Sequence, residues 1–266
     1  MKKSIILASL VGLLIGGIAV AAEDGSYGVT VDTTWVSKYI WRGFDILDDK
    51  AAFQPSVSVD LGSGFSAGVW GSWAGASQNG GDVSTVNANE MDYILSYGNS
   101  ICEGETYATD YSLNWVYYDY TDQPSKAADA QEINASIAMP NLCPFGTVPS
   151  YTIIKMWAAK SYGDAGGVGG WIHVLGLDYG LTVPGFLENN PEQTIDLHWD
   201  LTYNDGAGLT DNSVDSDWSH TTFGASTDIA VGGGTLRPGV FYQISMDKSV
   251  NNEDELYTAV SYSFNF

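Results

Sequence analysis

The sequence predicts an all-β chain that closes into a transmembrane, antiparallel, up-and-down β-barrel of about twelve strands, with ten or fourteen as the alternative counts. Three observations predict it. At the C-terminus, Leu256, Thr258, Val260, Tyr262, Phe264 and Phe266 take every second place, and Tyr257, Ala259, Ser261, Ser263 and Asn265 take the others. A period of two belongs to a strand that shows one face to an apolar medium and the other to a polar one. At the N-terminus, Lys2 and Lys3 precede an apolar run from Ile5 to Val20, and small residues then give way to Glu23 and Asp24. That is the pattern of a secretory signal peptide. No other long apolar run exists, and without one a chain enters lipid only as a closed barrel, where every backbone polar group is paired.

The expected organisation is therefore a signal peptide over residues 1–22, cleaved after Ala21 or Ala22, and a single barrel over residues 23–266. A transmembrane anchor is the alternative for the leader, but its run is short and lacks a basic stop on the far side. Phe266, a terminal aromatic on the last strand, looks like the assembly signal of bacterial outer-membrane barrels.

The strands follow in order. Val29, Val31, Thr33 and Trp35 alternate with Thr30, Asp32 and Thr34; Phe53, Pro55, Val57, Val59 and Leu61 alternate with Gln54, Ser56, Ser58 and Asp60. A turn at Gly62-Ser63-Gly64 leads to Phe65, Ala67, Val69, Gly71 and Trp73. The fourth run carries Met91, Tyr93, Leu95 and Tyr97, the fifth Tyr107 to Tyr117, and the sixth Ile133, Ala135 and Ile137. In the seventh and eighth, near residues 150–159 and 170–179, the alternation is blurred and either parity can face outward. Order returns with Ile195, Leu197, Trp199, Leu201 and Tyr203, then Thr221 to Ile229, then Leu236 to Ile244, and finally the C-terminal strand. An even count suits a bacterial barrel with both termini in the periplasm. A soluble sandwich or lipocalin-like barrel has the same period, so the leader, the terminal Phe266 and the load of nine Trp and sixteen Tyr decide against it.

The chain carries 10 Lys plus Arg against 32 Asp plus Glu, a net charge of −22, and the leader removes two of the lysines. This excludes nucleic acid as a partner, since phosphates require a basic surface. It fits attraction of cations. On the outward parity set by the hydrophobic residues, the lumen receives Asp32, Asp60, Asp92, Asp110, Glu132, Asp196, Asp200 and Asp228, with His198 as a further polar group. The inward bases are fewer, namely Lys38, Arg42, Arg237 and, on one parity of the unclear seventh strand, Lys155.

Ser37-Lys38-Tyr39-Ile40-Trp41-Arg42-Gly43, followed by Gly64-Phe65-Ser66-Ala67-Gly68-Val69-Trp70-Gly71-Ser72, resembles the opening of the TorF-type family of outer-membrane porins of Gram-negative bacteria. That family reads S-x-Y-x-F-R-G and then G-F-x-x-G-x-W-x-S, so Trp41 replaces a Phe. The resemblance covers residues 27–74 and marks Ser37, Tyr39, Arg42 and Gly43 as motif residues. It implies a pore-forming barrel and leaves the solute open. Read physically, Tyr39 and Trp41 share the parity of Trp35 and are expected in an outer aromatic girdle, with Lys38 and Arg42 pointing into the lumen. Arg42 then either pairs with an inward carboxylate and braces the wall or takes part in selecting solutes.

Catalysis is not expected. The chain has only His173, His198 and His220; Ser219 and His220 are sequence neighbours, which places them on opposite faces of a strand, and no G-x-S-x-G turn occurs. Asp211, Asp215 and Asp217 lack the spacing of a dedicated calcium loop, and the Gly-rich segments at 166–170 and 232–234 precede no helix. No metal and no cofactor is therefore expected. The only cysteines, Cys102 and Cys143, fall in neighbouring periplasmic connections and are expected to form a disulfide.

The functional expectation is a channel of the bacterial outer membrane that passes small polar or cationic solutes by passive diffusion. The alternative is a structural or adhesive barrel with a narrow or plugged lumen. The expected partners are outer-membrane lipid and lipopolysaccharide, the barrel-assembly machinery and small solutes, with the barrel a monomer.

Overall fold

A computed structural model describes residues 28–74, 89–122, 124–125, 128–160, 169–187, 190–208 and 214–266. The expected signal peptide, residues 1–22, lies outside them. The strands are β1 (Val29–Val36), β2 (Ile40–Trp41), β3 (Phe44–Asp45), β4 (Ala52–Gly62), β5 (Phe65–Ala74), β6 (Asn89–Ile101), β7 (Thr109–Asp119), β8 (Ala130–Ala138), β9 (Val148–Ala158), β10 (Gly169–Leu187), β11 (Asn190–Gly208), β12 (Ser216–Thr227), β13 (Ile229–Val231), β14 (Gly234–Ser245) and β15 (Glu255–Asn265).

Twelve of these make the wall. From β4 to β12 each strand pairs antiparallel with the next, β12 pairs on to β14, β14 to β15, and β1 pairs with both β15 and β4, so the sheet closes on itself. Closure removes every free edge, which is the condition for a sheet in lipid. The twelve-stranded, antiparallel barrel expected from the sequence is thus the fold. β13 pairs with β14 at one end of the wall, and β2 and β3 form a two-rung ribbon inside the β1–β4 connection. β10 and β11 are longest, at 19 residues each, and their hairpin runs past the last β9 pair, Asp178↔Val148.

The outer face carries the predicted parity. Trp35, Phe53, Val57, Val69, Trp73, Leu95, Leu113, Phe223 and Val260 are all exposed, as suits a wall solvated by hydrocarbon with aromatics toward its margins. The unresolved parity of the seventh and eighth runs is settled on β9 and β10. Thr152, Ile154, Met156, Ile172 and Val174 are buried inside, while Trp171, Leu175 and Leu177 face outward. Lys155 therefore does not line the lumen; it faces outward, its ammonium 4.9 Å from the Trp171 ring centroid. The alternation was blurred because these two strands are apolar on both faces.

The reason for that is a hydrophobic core within the barrel. Val36, Trp70, Val116, Tyr118, Ile154, Met156, Ile172, Val174 and Phe241 project inward and pack with Tyr39, Trp41 and Leu47 from the β1–β4 connection. The connection does not stand outside the barrel. It folds into it.

Candidate functional site: the lumen and its inward segment

Residues 37–51 leave β1 where the alternation stops. The Ser37 N–H donates to the Thr258 carbonyl, 2.9 Å, and the Ser37 hydroxyl accepts from the Thr258 N–H, 2.8 Å, which fixes the exit point. Beyond it the chain is irregular, so parity inherited from Trp35 no longer predicts direction. The expectation that Tyr39 and Trp41 join an outer girdle is corrected here. Both rings are buried inside, at 5% and 6% exposure. Their apolar area finds partners there, Tyr39 against Trp70 at 5.9 Å between centroids and Trp41 edge-on to Tyr118 at 5.8 Å.

Polar contacts tie the segment to walls on several sides. The Tyr39 hydroxyl donates to Glu90 Oε2 on β6 at 2.9 Å. Arg42 Nη2 donates to Glu132 Oε1 on β8 at 2.7 Å, and its guanidinium lies 4.8 Å from the Trp41 ring centroid. Gln243 on β14 donates to the Gly43 carbonyl at 3.0 Å. Lys38 reaches Glu255 on β15 at 2.8 Å and also contacts Asp49. Contacts to β6, β8, β14 and β15 place the segment across the lumen and not against one side of it. Of the two roles open to Arg42, pairing with an inward carboxylate is the one the structure shows.

Gly43 is required by this path. Its φ is +95°, and a Cβ there would fall 2.5 Å from His220 Nδ1 and 2.8 Å from Val250 Cγ1. Arg42 itself sits at φ 50°. Asp45, in β3, has its pKa raised, chiefly by burial, although the N–H groups of Asp49 and Leu47 pull the other way. Lys38 has its pKa raised by its hydrogen bonds to Asp49 and then Glu255.

The other predicted lumen residues are placed as follows. Asp92 is fully buried beside Glu90, and Glu132 is 1% exposed. Asp200 and Asp178 hold His198 between them, with Nδ1 2.7 Å from Asp178 and Nε2 3.1 Å from Asp200. Toward the end of the barrel that holds the C-terminus, Asp32 accepts from Thr34 and Ser263, Asp60 accepts from the Gly62 N–H, and Asp110 accepts from Ser100. Arg237 contacts Asp196 and lies 3.0 Å from Asp228. Asp228 has its pKa raised by burial, against the pull of Arg237.

Two further expectations change. Ser219 and His220 do not face opposite sides: a bulge between Thr202 and Tyr203 lets both turn inward, 2.9 Å apart. The pair remains poor for nucleophilic chemistry, because the Ser219 hydroxyl also donates to the Thr202 carbonyl and is 1% exposed. Cys102 and Cys143 are free thiols and not a disulfide. Each lies in its own turn, the Cys102 carbonyl accepting from the Glu105 N–H and the Cys143 carbonyl from the Gly146 N–H. The expected assembly residue Phe266 pairs with Val29 in both directions, 2.9 and 3.2 Å, with its ring exposed.

Asp45, Asp49 and Glu255 each bring a carboxylate oxygen within 4.8 Å of the others, the spacing of a cation site. Lys38 lies against two of them. Its ammonium supplies the counter-charge, and the cluster reads as an ion-pair knot closing the segment on the wall.

Sequence reasoning missed Glu90, Asp178, Gln243 and Glu255. Glu90 shares the parity of Asp92 two places on and was legible; Asp178 fell in the strand whose parity was open.

Residues 20–163 match the model of a family described as a bacterial protein of unknown function, Gcw_chp. No curated protein matches the chain. Among solved structures, the KdgM porin superposes with a TM-score of 0.52 at 11% identity, over 89% of this chain and 99% of that one. The COG4313 outer membrane channel from Pseudomonas putida F1 gives 0.51 at 9% identity, over 93% and 100%. The KdgM porin in complex with disordered oligogalacturonate gives 0.52 at 10%, over 89% and 99%. At these identities the likeness is one of fold.

Proposed function

The chain belongs to the Gcw_chp family, and we propose that it is a porin-like channel of the bacterial outer membrane that passes small polar or cationic solutes by passive diffusion. The observation that carries this reading is the inner wall of the periplasmic half. It is polar and small, with Ser58, Ser66, Ser96 and Ser112 on the inward parity, and it holds Asp32, Asp60, Asp110, Asp178, Asp196 and Asp228 against Arg237. Carboxylates around a narrow passage in a low-dielectric wall attract cations and repel anions at close range. The KdgM porin is known in complex with oligogalacturonate, a carboxylate-bearing chain; the excess of inward carboxylates here disfavours such a cargo. In this reading lipid and lipopolysaccharide solvate the outer aromatic face, the barrel-assembly machinery inserts the chain, and the barrel works as a monomer.

A reversal potential across a KCl gradient in a planar bilayer tests it. A potential of cation sign is expected, and chloride preference sinks the reading.

The second reading, a structural or adhesive barrel with a plugged lumen, is favoured by the apolar packing of Tyr39, Trp41 and Leu47 inside the wall. Replacing residues 38–50 by a short Gly-Ser connection separates the two. Discrete conductance steps in the native chain, enlarged in the variant, support the channel; silence of both supports the structural barrel.

A further inference from the structure

Asp92 is wholly buried in the lumen, and beyond its hydrogen-bond contact with the neighbouring Glu90 carboxyl neither of its oxygens meets a donor among the described residues. It shares the inner face of β6 with Glu90, and Glu132 on β8 faces the same space across β7. All three are at most 5% exposed. The cation among them is Arg42, and its match is partial. Nη2 is bound to Glu132 Oε1, which also accepts from the Asn134 amide, whereas Nε and Nη1 are buried without an acceptor among the described residues.

Three carboxyl groups thus face one guanidinium with the three N–H donors of Nε and Nη1 unused. Like charges buried together with few donors are unfavourable, and they are relieved either by a proton shared between the Glu90 and Asp92 carboxyls or by a cation that takes its place. A single metal ion does not suit it, because the convergent carboxylate set among the described residues is the separate cluster of Asp45, Asp49 and Glu255. A group with several N–H donors spread over a fork spans wider gaps.

We infer that Glu90, Asp92 and Glu132 form a lumenal site for an organic cation, a guanidinium or primary ammonium solute, and that Arg42 is its tethered occupant at rest. The inference rests on the channel reading and names the cargo of that lumen. In the closed barrel the site is taken, so a free guanidinium solute binds the state in which residues 37–51 have swung out. A ligand that prefers one of two states shifts the population toward it, and the cargo thereby opens its own passage.

Agmatine is the probe, with urea as the neutral control. By calorimetry on the detergent-folded full chain, Arg42→Gln is expected to bind agmatine at least tenfold more tightly than the native chain, and Arg42→Gln with Asp92→Asn is expected to lose that binding. Arg42→Lys, which keeps a tethered cation, should bind like the native chain, and heat-dependent gel migration certifies each variant as a folded barrel. In bilayers, agmatine should raise the open probability of the native chain and leave Arg42→Gln unchanged. Equal affinity in the native chain, Arg42→Gln and the double variant overturns the site, even if the barrel conducts. Binding that depends on Asp92 in barrels that never conduct keeps the site and defeats the channel. If Arg42→Gln does not fold, failure of agmatine to alter native gating or to show Asp92-dependent binding in Arg42→Lys overturns the inference.

Discussion

Arg42 Nη2 lies 2.7 Å from Glu132 Oε1 within the lumen, and the two side chains are 7% and 1% exposed. The bond joins a connection near the start of the barrel to a strand 90 positions later. Removing one partner of such a pair leaves a buried charge uncompensated, at a cost of about 3–5 kcal/mol. Glu132→Ala should therefore release residues 37–51 while the wall persists. Hydrogen exchange of the 37–51 peptide should accelerate strongly, and gel migration of the folded barrel should not change.

Gly43→Ala should act on the same segment by a different route. The position combines φ +95° with a Cβ path blocked by His220 and Val250, so backbone strain and a clash add, costing about 1–3 kcal/mol. Gly62→Ala is the comparison: φ is +82° but nothing lies within 4 Å of the added Cβ, leaving a strain of about 1–2 kcal/mol. Exchange in 37–51 should rise for the first variant alone.

The docking of the segment should persist through the ordinary lysine range. Asp49 and Glu255 raise the Lys38 pKa above its usual 10.5, so the docked state holds this proton more tightly than the released one. Its contribution is complete below 10.5 and is lost as pH rises through the higher docked value. Conductance or exchange of the native chain should show its alkaline step only above pH 10.5, and Lys38→Met should show none.

Both cysteines should react with a maleimide without prior reduction, Cys102 faster than Cys143, in keeping with their exposed and half-buried thiols. Mass spectrometry counts the adducts. A single species resistant to alkylation until reduced would contradict the free-thiol structure.

Deleting Phe266 should lower the yield of heat-modifiable barrel by half or more. The residue supplies the last rung between β15 and β1 through Val29, while its ring is 77% exposed. The loss is therefore expected in assembly and closure, and barrels that do form should melt close to the native temperature.

The sequence by itself determined the wall. Strict alternation in runs such as Val29–Trp35, Phe53–Leu61 and Leu256–Phe266 is a local property, because successive Cβ atoms leave a strand on opposite sides, and it pointed to a closed antiparallel barrel of about twelve strands while leaving the facing of β9 and β10 open. Only the tertiary structure decided the contents of the lumen. Tyr39 and Trp41 followed the outward parity on paper yet turn inward, since regular backbone ends at Val36 and the rings find Trp70 and Tyr118 across the barrel. The blurred alternation at Ile154, Met156, Ile172 and Val174 had the same origin: strands that face lipid outside and a packed segment inside are apolar on both sides. The Arg42–Glu132 and Lys38–Glu255 bonds join residues 90 and 217 positions apart. Parity sorts such residues to the inner face, but closure of the ring is what brings them together.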